Sequence, residues 1–317
     1  MKFLEILKVV LLGIVEGITE WLPVSSTGHM LLIDEIFSLK AGEFFKEMFF
    51  VVIQLGAILA VLVMFWHKLF PFQRVPAPSK SENTEASSAK PEARLEAHSE
   101  AQTPTSTNVA IKKVWKADKA IFTLWAKVIV ACLPAAAIGV LFDDLLEKYL
   151  HRPVVIALTL IVYGVIFILL ENKNKNRELP IRTTAEITYK DALIIGAFQV
   201  LSLIPGTSRS GATIIGALLI GVARPAGAEF TFFLAIPVMF GASALKLLKF
   251  FVKSGGFTGA ELGYLLIGSA VAFAVSLFAI KFLMNFVKKH DFKIFGWYRI
   301  ALGALVIATL VIPPLFA

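Results

Sequence analysis

Two short polar segments interrupt an otherwise apolar sequence, and the first carries acids, hydroxyls and an imidazole. It runs from position 13 to position 29 and contains Glu16, Glu20, Ser26 and His29. An ionisable group inside a bilayer costs about 2.5–3.5 kcal/mol even on insertion scales that give low values. Such groups persist where they face a wet cavity and have a function. The segment therefore predicts a polar pocket between apolar helices.

The second segment, 196–211, is basic where the first is acidic. Its Arg209 lies among Thr207, Ser208 and Ser210 and beside the backbone amides around two glycines. A forked guanidinium and backbone N–H groups suit the oxygens of a phosphate. Packed together, the two segments would place carboxylates, hydroxyls, an imidazole and a guanidinium in one pocket.

This set of groups indicates phosphoryl hydrolysis. Glu16 and Glu20 are one helical turn apart and, as acceptors, can hold a hard divalent cation that in turn binds phosphate. His29 can exchange protons near neutral pH. Either Ser26 or a cation-bound water can attack phosphorus. The combination predicts a hydrolase at the membrane surface, with a lipid tail lying between the helices.

The composition identifies the elements that position these groups as membrane helices. Hydrophobic residues make up 57% of the 317 positions and charged residues 17%, and the mean hydropathy is +0.77. Soluble domains average about 45–50% apolar and about 25% charged residues. The net charge of +8 is assigned to cytoplasmic loops, since no basic and aromatic surface for nucleic acid is visible. We predict an all-α polytopic membrane protein with six transmembrane helices, at about 48–66, 124–142, 154–170, 229–248, 263–284 and 299–315.

The two polar segments predict an inverted repeat within a single membrane domain. Each places two glycines 15 residues apart with a proline between them: Gly13, Pro23 and Gly28, then Gly196, Pro205 and Gly211. The apolar run 4–15 is too short to cross the bilayer, so we predict two re-entrant helical hairpins, 4–30 and 191–221. Three spans follow each hairpin, and an odd number gives the repeats 1–171 and 189–317 opposite orientations.

Loop composition predicts a disordered segment and the orientation of the bundle. Positions 70–118 are rich in Pro, Ser, Glu and Lys and hold few large apolar residues, so we predict a disordered polar loop. The basic loops 67–123 and 171–190 are expected in the cytoplasm, which places the acidic loops 31–47 and 143–152 outside.

The polar segments resemble the signature motifs of the undecaprenyl-diphosphatase, or bacitracin-resistance protein, family. The matching stretches are Glu16-Gly-Ile-Thr-Glu20-Trp-Leu-Pro-Val-Ser-Ser-Thr-Gly-His29 and Pro205-Gly-Thr-Ser-Arg-Ser-Gly211, together with Val52-Ile-Gln-Leu-Gly56 and Ala228-Glu-Phe230. The resemblance implies hydrolysis of undecaprenyl diphosphate to the monophosphate and inorganic phosphate. That reaction recycles the lipid carrier of peptidoglycan synthesis and confers bacitracin resistance. The resemblance further implies the bacterial inner membrane, an active site open to the periplasmic face, a divalent cation such as Mg²⁺ or Ca²⁺, and a homodimer.

Roles for individual residues follow from the same resemblance. Glu16 and Glu20 would bind the cation or act as base, and Ser26 would be the candidate nucleophile. His29 would transfer protons and Arg209 would anchor the phosphate. Supporting contacts to the substrate would come from Thr27, Ser208, Ser210 and Thr213.

A transporter or flippase for a phosphorylated lipid or another anion is the alternative. Secondary carriers also use inverted repeats and broken helices that meet at the midplane. Taken singly, the polar residues also fit structural roles, such as a helix N-cap at Ser26 or a snorkelling Arg209. A carrier, however, needs no hydroxyl beside an imidazole. The joint set of Ser26, His29 and Arg209 therefore favours hydrolysis.

Overall fold

The computed structural model describes residues 2–76, 113–150 and 152–312, which form helices apart from one pair of short strands. The helices are α1 Phe3–Thr19, α2 Ser26–Phe37, α3 Glu43–Val52, α4 Gln54–Met64, α5 Trp66–Leu69, α6 Lys119–Leu150, α7 Pro153–Asn174, α8 Tyr189–Val200, α9 Arg209–Leu219, α10 Arg224–Ser254, α11 Gly259–Phe286 and α12 Lys293–Val306. A 3₁₀ turn, Leu201–Leu203, follows α8, and a π-helical segment, Ile307–Val311, continues α12.

Within the described residues, six helical segments are long and apolar enough to cross a membrane, which confirms the predicted number. They are Glu43–Met64, Lys119–Phe142, Pro153–Asn174, Arg224–Ser254, Gly259–Phe286 and Lys293–Val311. Most extend beyond the predicted bounds because a helix continues past its apolar stretch into polar residues. The helix predicted to begin at Arg299 begins at Lys293 instead, so this arginine lies inside the helix. The predicted end at 315 lies outside the described residues.

The spans leave large apolar side chains on the outside of the bundle and pack closely inside it. Val162, Leu169 and Phe278 are more than half exposed, as expected for side chains that face acyl chains. At the contact of α7 with α12, a Cβ on Gly164 would lie 2.6 Å from the Gly296 carbonyl oxygen, and a Cβ on Gly296 would lie 2.7 Å from that of Gly164. Only glycine allows so close an approach of two backbones.

The segment predicted to be disordered, 70–118, lies mostly outside the described residues, but its two ends are ordered. Strand β1, Phe72–Pro76, pairs antiparallel with β2, Lys113–Ala117, and Phe72 lies opposite Ala117. The prediction of disorder is therefore wrong for these ends. Valine and aromatic residues in both strands favour extended structure, a local signal that the composition of the whole segment concealed.

The two short helix pairs pack against spans that are distant in sequence. Helix α1 packs on α11 and α8 packs on α6, while α2 contacts α7 and α9 contacts α10. Trp21, which follows α1, is fully buried and makes an edge-to-face contact of 5.1 Å with Phe232 of α10. The turn between α1 and α2 is thereby fixed to the second half of the chain.

Candidate active site

Both polar segments end in the same backbone conformation. Ser25 has φ 73° before α2, and Ser208 has φ 70° before α9. These are the non-glycine residues with positive φ in the part of the chain that the structure describes. Each serine Oγ accepts a hydrogen bond from the amide of the glycine three residues later, at 3.4 Å from Gly28 and 3.2 Å from Gly211. Strained backbone of this kind costs about 1–3 kcal/mol and concentrates at functional sites.

Glu20 joins the two segments through its carboxylate. Its Oε1 accepts a hydrogen bond from Arg209 Nη2 at 3.1 Å, and its Oε2 accepts one from Ser26 Oγ at 3.1 Å. Ser26 and Arg209 are each the first residue of a helix, α2 and α9. The structure therefore brings three of the predicted site residues together: a hydroxyl, a carboxylate and a guanidinium.

A cavity of about 570 Å³ meets this cluster at Ser26, and it is lined by polar and apolar groups. Glu20 and Arg209 are not among the residues that line it. Glu16, Ser26 and Thr27 of the predicted site line it. Glu16 is 1% exposed, and its Oε1 has no hydrogen-bond partner among the described residues. A buried carboxylate oxygen without a partner is costly unless a ligand or proton satisfies it.

The remaining lining differs from what the sequence predicted. Apolar side chains and charged ones both contribute, and their full set is Met30, Leu31, Asp34, Glu43, Lys46, Glu47, Phe50, Val51, Gln54, Leu203, Pro205 and Lys246. The charged members lie outside both motifs, with Asp34 in α2, three side chains in α3 and Lys246 in α10. Gln54, an interruption in one apolar run, and Lys246, near the end of another, were the polar signals within predicted spans.

His29 points to a neighbour that the sequence did not suggest. Its Nδ1 lies 2.7 Å from the Ser25 carbonyl oxygen, and its Nε2 lies 2.7 Å from the Tyr298 hydroxyl. Because a carbonyl only accepts, Nδ1 carries the proton of that contact, and in the neutral imidazole Nε2 then accepts a hydrogen bond from the Tyr298 hydroxyl. The imidazole also stacks on the Tyr298 ring, with centroids 5.6 Å apart. His29 is not among the residues that line the cavity.

Three of the predicted supporting hydroxyls hold the backbone of the site. Ser208 caps α9 and lies 3.1 Å from the Ser210 hydroxyl. Ser210 donates to the carbonyls of Glu20 and Leu22 and so ties α9 to the first segment. Thr213 is fully buried and donates to the Arg209 carbonyl.

Arg209 is held from the other side by α10. Its Nη1 donates to the Thr231 carbonyl at 3.0 Å, while its Nε is buried without a partner among the described residues. The Thr231 hydroxyl in turn donates to Thr213 Oγ1 at 2.9 Å. These contacts fix the guanidinium with one edge toward Glu20.

The donor set bears on the predicted cation. No group of three or more His, Cys, Asp or Glu residues suited to a metal occurs within the described ranges. Glu16 and Glu20 offer two carboxylates, one of them with a free oxygen. Mg²⁺ is usually bound by one or two carboxylates together with substrate phosphates and water. The residues therefore fit a cation that binds together with its phosphate substrate.

Arg299 is a residue of the site that the sequence analysis missed. It is fully buried in α12, and it donates to carbonyls in both polar segments, including that of Pro23. An arginine within an apolar helix was a usable signal, since ionisable residues in spans are rare and functional. The predicted span began at Arg299, which placed this side chain at a helix end instead of inside the bundle.

Comparison with known proteins identifies the family of the chain. The sequence pattern of the bacitracin resistance protein BacA matches residues 9–305. A protein of Enterococcus faecalis called undecaprenyl-diphosphatase is 61% identical over 97% of this chain and 98% of its own length. Relatives with the same name are 52% identical in Acetivibrio thermocellus, over 96% of this chain and 97% of their own, and 46% identical in Streptococcus thermophilus, over 96% and 93%.

Proposed function

We propose that this chain, which belongs to the bacitracin resistance protein BacA family, is a membrane phosphatase acting on undecaprenyl diphosphate. It removes the terminal phosphate with water and leaves undecaprenyl phosphate and inorganic phosphate. The observation that carries the proposal is the contact of Glu20 with both Arg209 and Ser26, the last of which lines the cavity. The relatives named undecaprenyl-diphosphatase supply the substrate.

The three side chains divide the work at the terminal phosphorus. Arg209 binds phosphate oxygens and stabilises the charge that develops on them. Glu20 accepts the proton of the attacking group, and Ser26 lies 3.1 Å from it. Two nucleophiles remain open, the Ser26 hydroxyl and a water. Either attack breaks the bond between the terminal phosphorus and the bridging oxygen, which leaves with the lipid monophosphate. Attack by water gives inorganic phosphate directly, whereas attack by Ser26 gives a phosphoserine that water then hydrolyses to inorganic phosphate and free Ser26.

Glu16 and Glu20 would hold a divalent cation, Mg²⁺ or Ca²⁺. The unpartnered, buried Glu16 oxygen that lines the cavity supports this assignment. When bound, such a cation neutralises phosphate charge and polarises the phosphoryl group. Because no third His, Cys, Asp or Glu ligand joins this pair among the described residues, cation and diphosphate are expected to bind together.

His29 has a proton-transfer role in this proposal, exerted through its contacts. With Nδ1 bonded to the Ser25 carbonyl, Nε2 is the exchanging nitrogen and Tyr298 is its partner. Thr27 lines the cavity and offers a hydroxyl to the phosphate. Ser208, Ser210 and Thr213 support the substrate indirectly, by holding the start of α9.

An inverted repeat in one membrane domain accounts for the packing of the bundle. Under this proposal 1–171 and 189–317 are the two repeats, and α1–α2 and α8–α9 are re-entrant hairpins. Equal φ values at Ser25 and Ser208 support the equivalence. So does the exchange of partners: α1 packs on the second-half helix α11, and α8 packs on the first-half helix α6.

The cellular setting is proposed from the family and from the loop charges. The protein would lie in the bacterial inner membrane as a homodimer, with the cavity open to the periplasmic face. There it would return the lipid carrier to peptidoglycan synthesis and confer bacitracin resistance. The Lys and Arg residues of the loops 67–123 and 171–190 support the outward orientation, because cytoplasmic loops favour Lys and Arg.

A phosphate-release assay tests the function. Purified protein in detergent, given a polyprenyl diphosphate and Mg²⁺ or Ca²⁺, is expected to release phosphate, and a chelator should abolish the release. Arg209→Ala should reduce it by about 10³-fold, since Arg209 acts mainly on the transition state. Arg182→Ala, which removes an exposed loop arginine, is the matched control and should retain full activity. Lipid transport by reconstituted protein without phosphate release would instead support the transporter.

A further inference from the structure

The buried charge of Arg299 is energetically costly, and its surroundings offset part of that cost. It is 0% exposed, and no ion pair with a carboxylate is formed by it within the described ranges. A buried charge without an opposite charge is strongly unfavourable unless hydrogen bonds replace its hydration. The Tyr163 ring, with its centroid 5.7 Å from the guanidinium carbon, offsets part of this cost.

The hydrogen bonds that replace this hydration all go to backbone carbonyls of the two polar segments. Nη1 donates to the Pro23 carbonyl at 3.3 Å, in the turn before α2. Nη2 donates to the carbonyls of Gly206 at 2.8 Å and Thr207 at 2.9 Å, in the turn before α9. One rigid, planar group therefore bonds both turns at once, which a lysine ammonium cannot reproduce with the same geometry.

These carbonyls lie next to the residues that carry the chemistry. Pro23 is two positions before Ser25, and Thr207 directly precedes Ser208. The C=O and N–H of one peptide point in opposite directions, so the Thr207 contact turns the Ser208 N–H away from Arg299. A Cβ on Gly211, in the first turn of α9, would lie 3.5 Å from Arg299 Nη1. The guanidinium thus lies directly behind the start of α9.

We propose that Arg299 is a positioning residue that sets the two turns relative to each other, so that Ser26, Glu20 and Arg209 address one phosphate. Arg299 does not line the cavity, and it acts through the backbone. The inference rests on the proposed phosphatase activity for its catalytic meaning. The geometric part, a fixed distance between two turns, stands without it.

The test measures the quality of the phosphate site separately from the amount of folded protein. Arg299→Met and Arg299→Lys are compared with wild type in phosphate release and in binding of orthovanadate, a phosphate analogue. We expect kcat to fall about 100-fold in Arg299→Met, because an error of about 1 Å in position has effects of that size. The inhibition constant for orthovanadate should rise about tenfold or more, which is about 1.4 kcal/mol of binding, while KM for the lipid changes little.

Arg224→Met is the matched control for lost stability. Arg224 pairs with the buried Glu171 at another place in the fold, so its removal should lower the melting temperature and leave the orthovanadate constant unchanged. The unfolded fraction of a variant lowers its apparent kcat but changes neither KM nor an inhibition constant. If Arg299 only stabilised the fold, Arg299→Met would also lower the melting temperature and leave the orthovanadate constant unchanged. That result would overturn the proposal.

Two further measurements keep the outcomes distinct. If Arg299→Met does not fold, Arg299→Lys keeps the charge and is judged by the same inhibition constant. If wild type releases no phosphate, the proposed function fails, and the rise in melting temperature produced by orthovanadate still reports the site. A rise that is equal in wild type and in Arg299→Lys would then contradict the positioning role.

Discussion

The turn before α2 and the turn before α9 have nearly the same backbone and carry different chemistry. Ser25 and Ser208 share a positive φ and the same cap to a glycine amide. Their positions differ by 183 residues, as do those of Ser26 and Arg209 at the first position of each helix. The same backbone device thus presents a hydroxyl in one half and a guanidinium in the other.

Under the proposed repeat, this difference would make two similar hairpins complementary to an asymmetric substrate. A phosphoryl group needs a nucleophile on one side and positive charge around its oxygens. Two equal hairpins would supply the same group twice. Here the Glu20 carboxylate of the first hairpin accepts hydrogen bonds from Ser26 and from Arg209, at 3.1 Å each. The two residues that differ between the hairpins therefore contact the same carboxylate.

The largest expected effect comes from breaking the link between the hairpins. Glu20→Gln and Arg209→Gln should each reduce phosphate release by about 10³-fold, since each removes a charge that acts in the transition state. If the two residues act as one unit, the double variant should release phosphate at a rate within about tenfold of that of the less active single variant. Steady-state kinetics of all four proteins measures this.

A second ion pair, between Lys68 and Glu229, serves as a control for the general effect of losing an ion pair. Lys68 donates to both carboxylate oxygens of Glu229, at 2.9 and 2.8 Å, away from the cavity. Lys68→Gln should change activity by less than about threefold. Losses at Glu20 and Arg209 that multiply in the double variant would show two independent sites, contrary to the comparison.

The next effect concerns the hydroxyl that only the first hairpin places at the helix start. Ser26→Ala should lower kcat by about 10²–10⁴-fold, because it removes either the nucleophile or the partner of Glu20. Rapid quench with labelled substrate decides between these roles, since phosphoserine forms only if Ser26 attacks. Ser202→Ala, in the 3₁₀ turn that follows α8, is the control, because among the described residues its hydroxyl donates only to the Gln199 carbonyl. Full activity of Ser26→Ala would remove Ser26 from the mechanism.

Much of this arrangement was predictable from the sequence, and the missing parts have physical reasons. Six spans and two matching polar segments follow from apolar length and glycine spacing, which are local properties. The contact of Glu20 with Arg209 was expected because two polar segments in one bundle must share a wet cavity. Arg299 and Tyr298 were missed, since α12 lies far away in sequence and its polar groups contact backbone atoms and His29.

The lining of the cavity by Asp34, Lys46 and Lys246 was missed for a related reason. In the sequence these residues look like ordinary loop and helix-end charges, and only the packing of the helices brings them to the cavity wall. A charge near the end of a span is usual at a membrane surface, so its type carries no signal about the partner it will face.

A third prediction exchanges the acid and the amide that the hairpins place at equivalent positions. Glu16 and Gln199 are also 183 residues apart, and both are 1% exposed with unpartnered side-chain atoms among the described residues. Glu16→Gln should raise the cation concentration for half-maximal activity by about tenfold or more, because a carboxylate ligand is lost. Titration of activity with Mg²⁺ or Ca²⁺ measures this.

The reverse exchange should act on stability alone. Gln199→Glu puts a carboxylate into a buried position and should lower the melting temperature, since a buried charge without a partner is unfavourable. Its cation dependence should match wild type. A shifted cation requirement in Gln199→Glu, or none in Glu16→Gln, would mean that the cation does not distinguish the two hairpins as proposed.

The smallest effect tests the feature that the hairpins share. Ser25→Ala and Ser208→Ala each remove a cap and leave a residue with a Cβ at positive φ, so each should cost about 1 kcal/mol of stability or slightly more. Replacement by glycine loses the cap but relieves the backbone strain, so Ser25→Gly and Ser208→Gly should be milder than the alanine variants. Thermal unfolding in detergent measures all four. Because the two turns have φ values of 73° and 70° and the same cap, the alanine and glycine differences should be equal in both halves. If the glycine variant were more stable than the alanine variant at one serine and not at the other, only one of the two turns would be strained. The hairpins would then be equivalent in sequence and not in backbone strain.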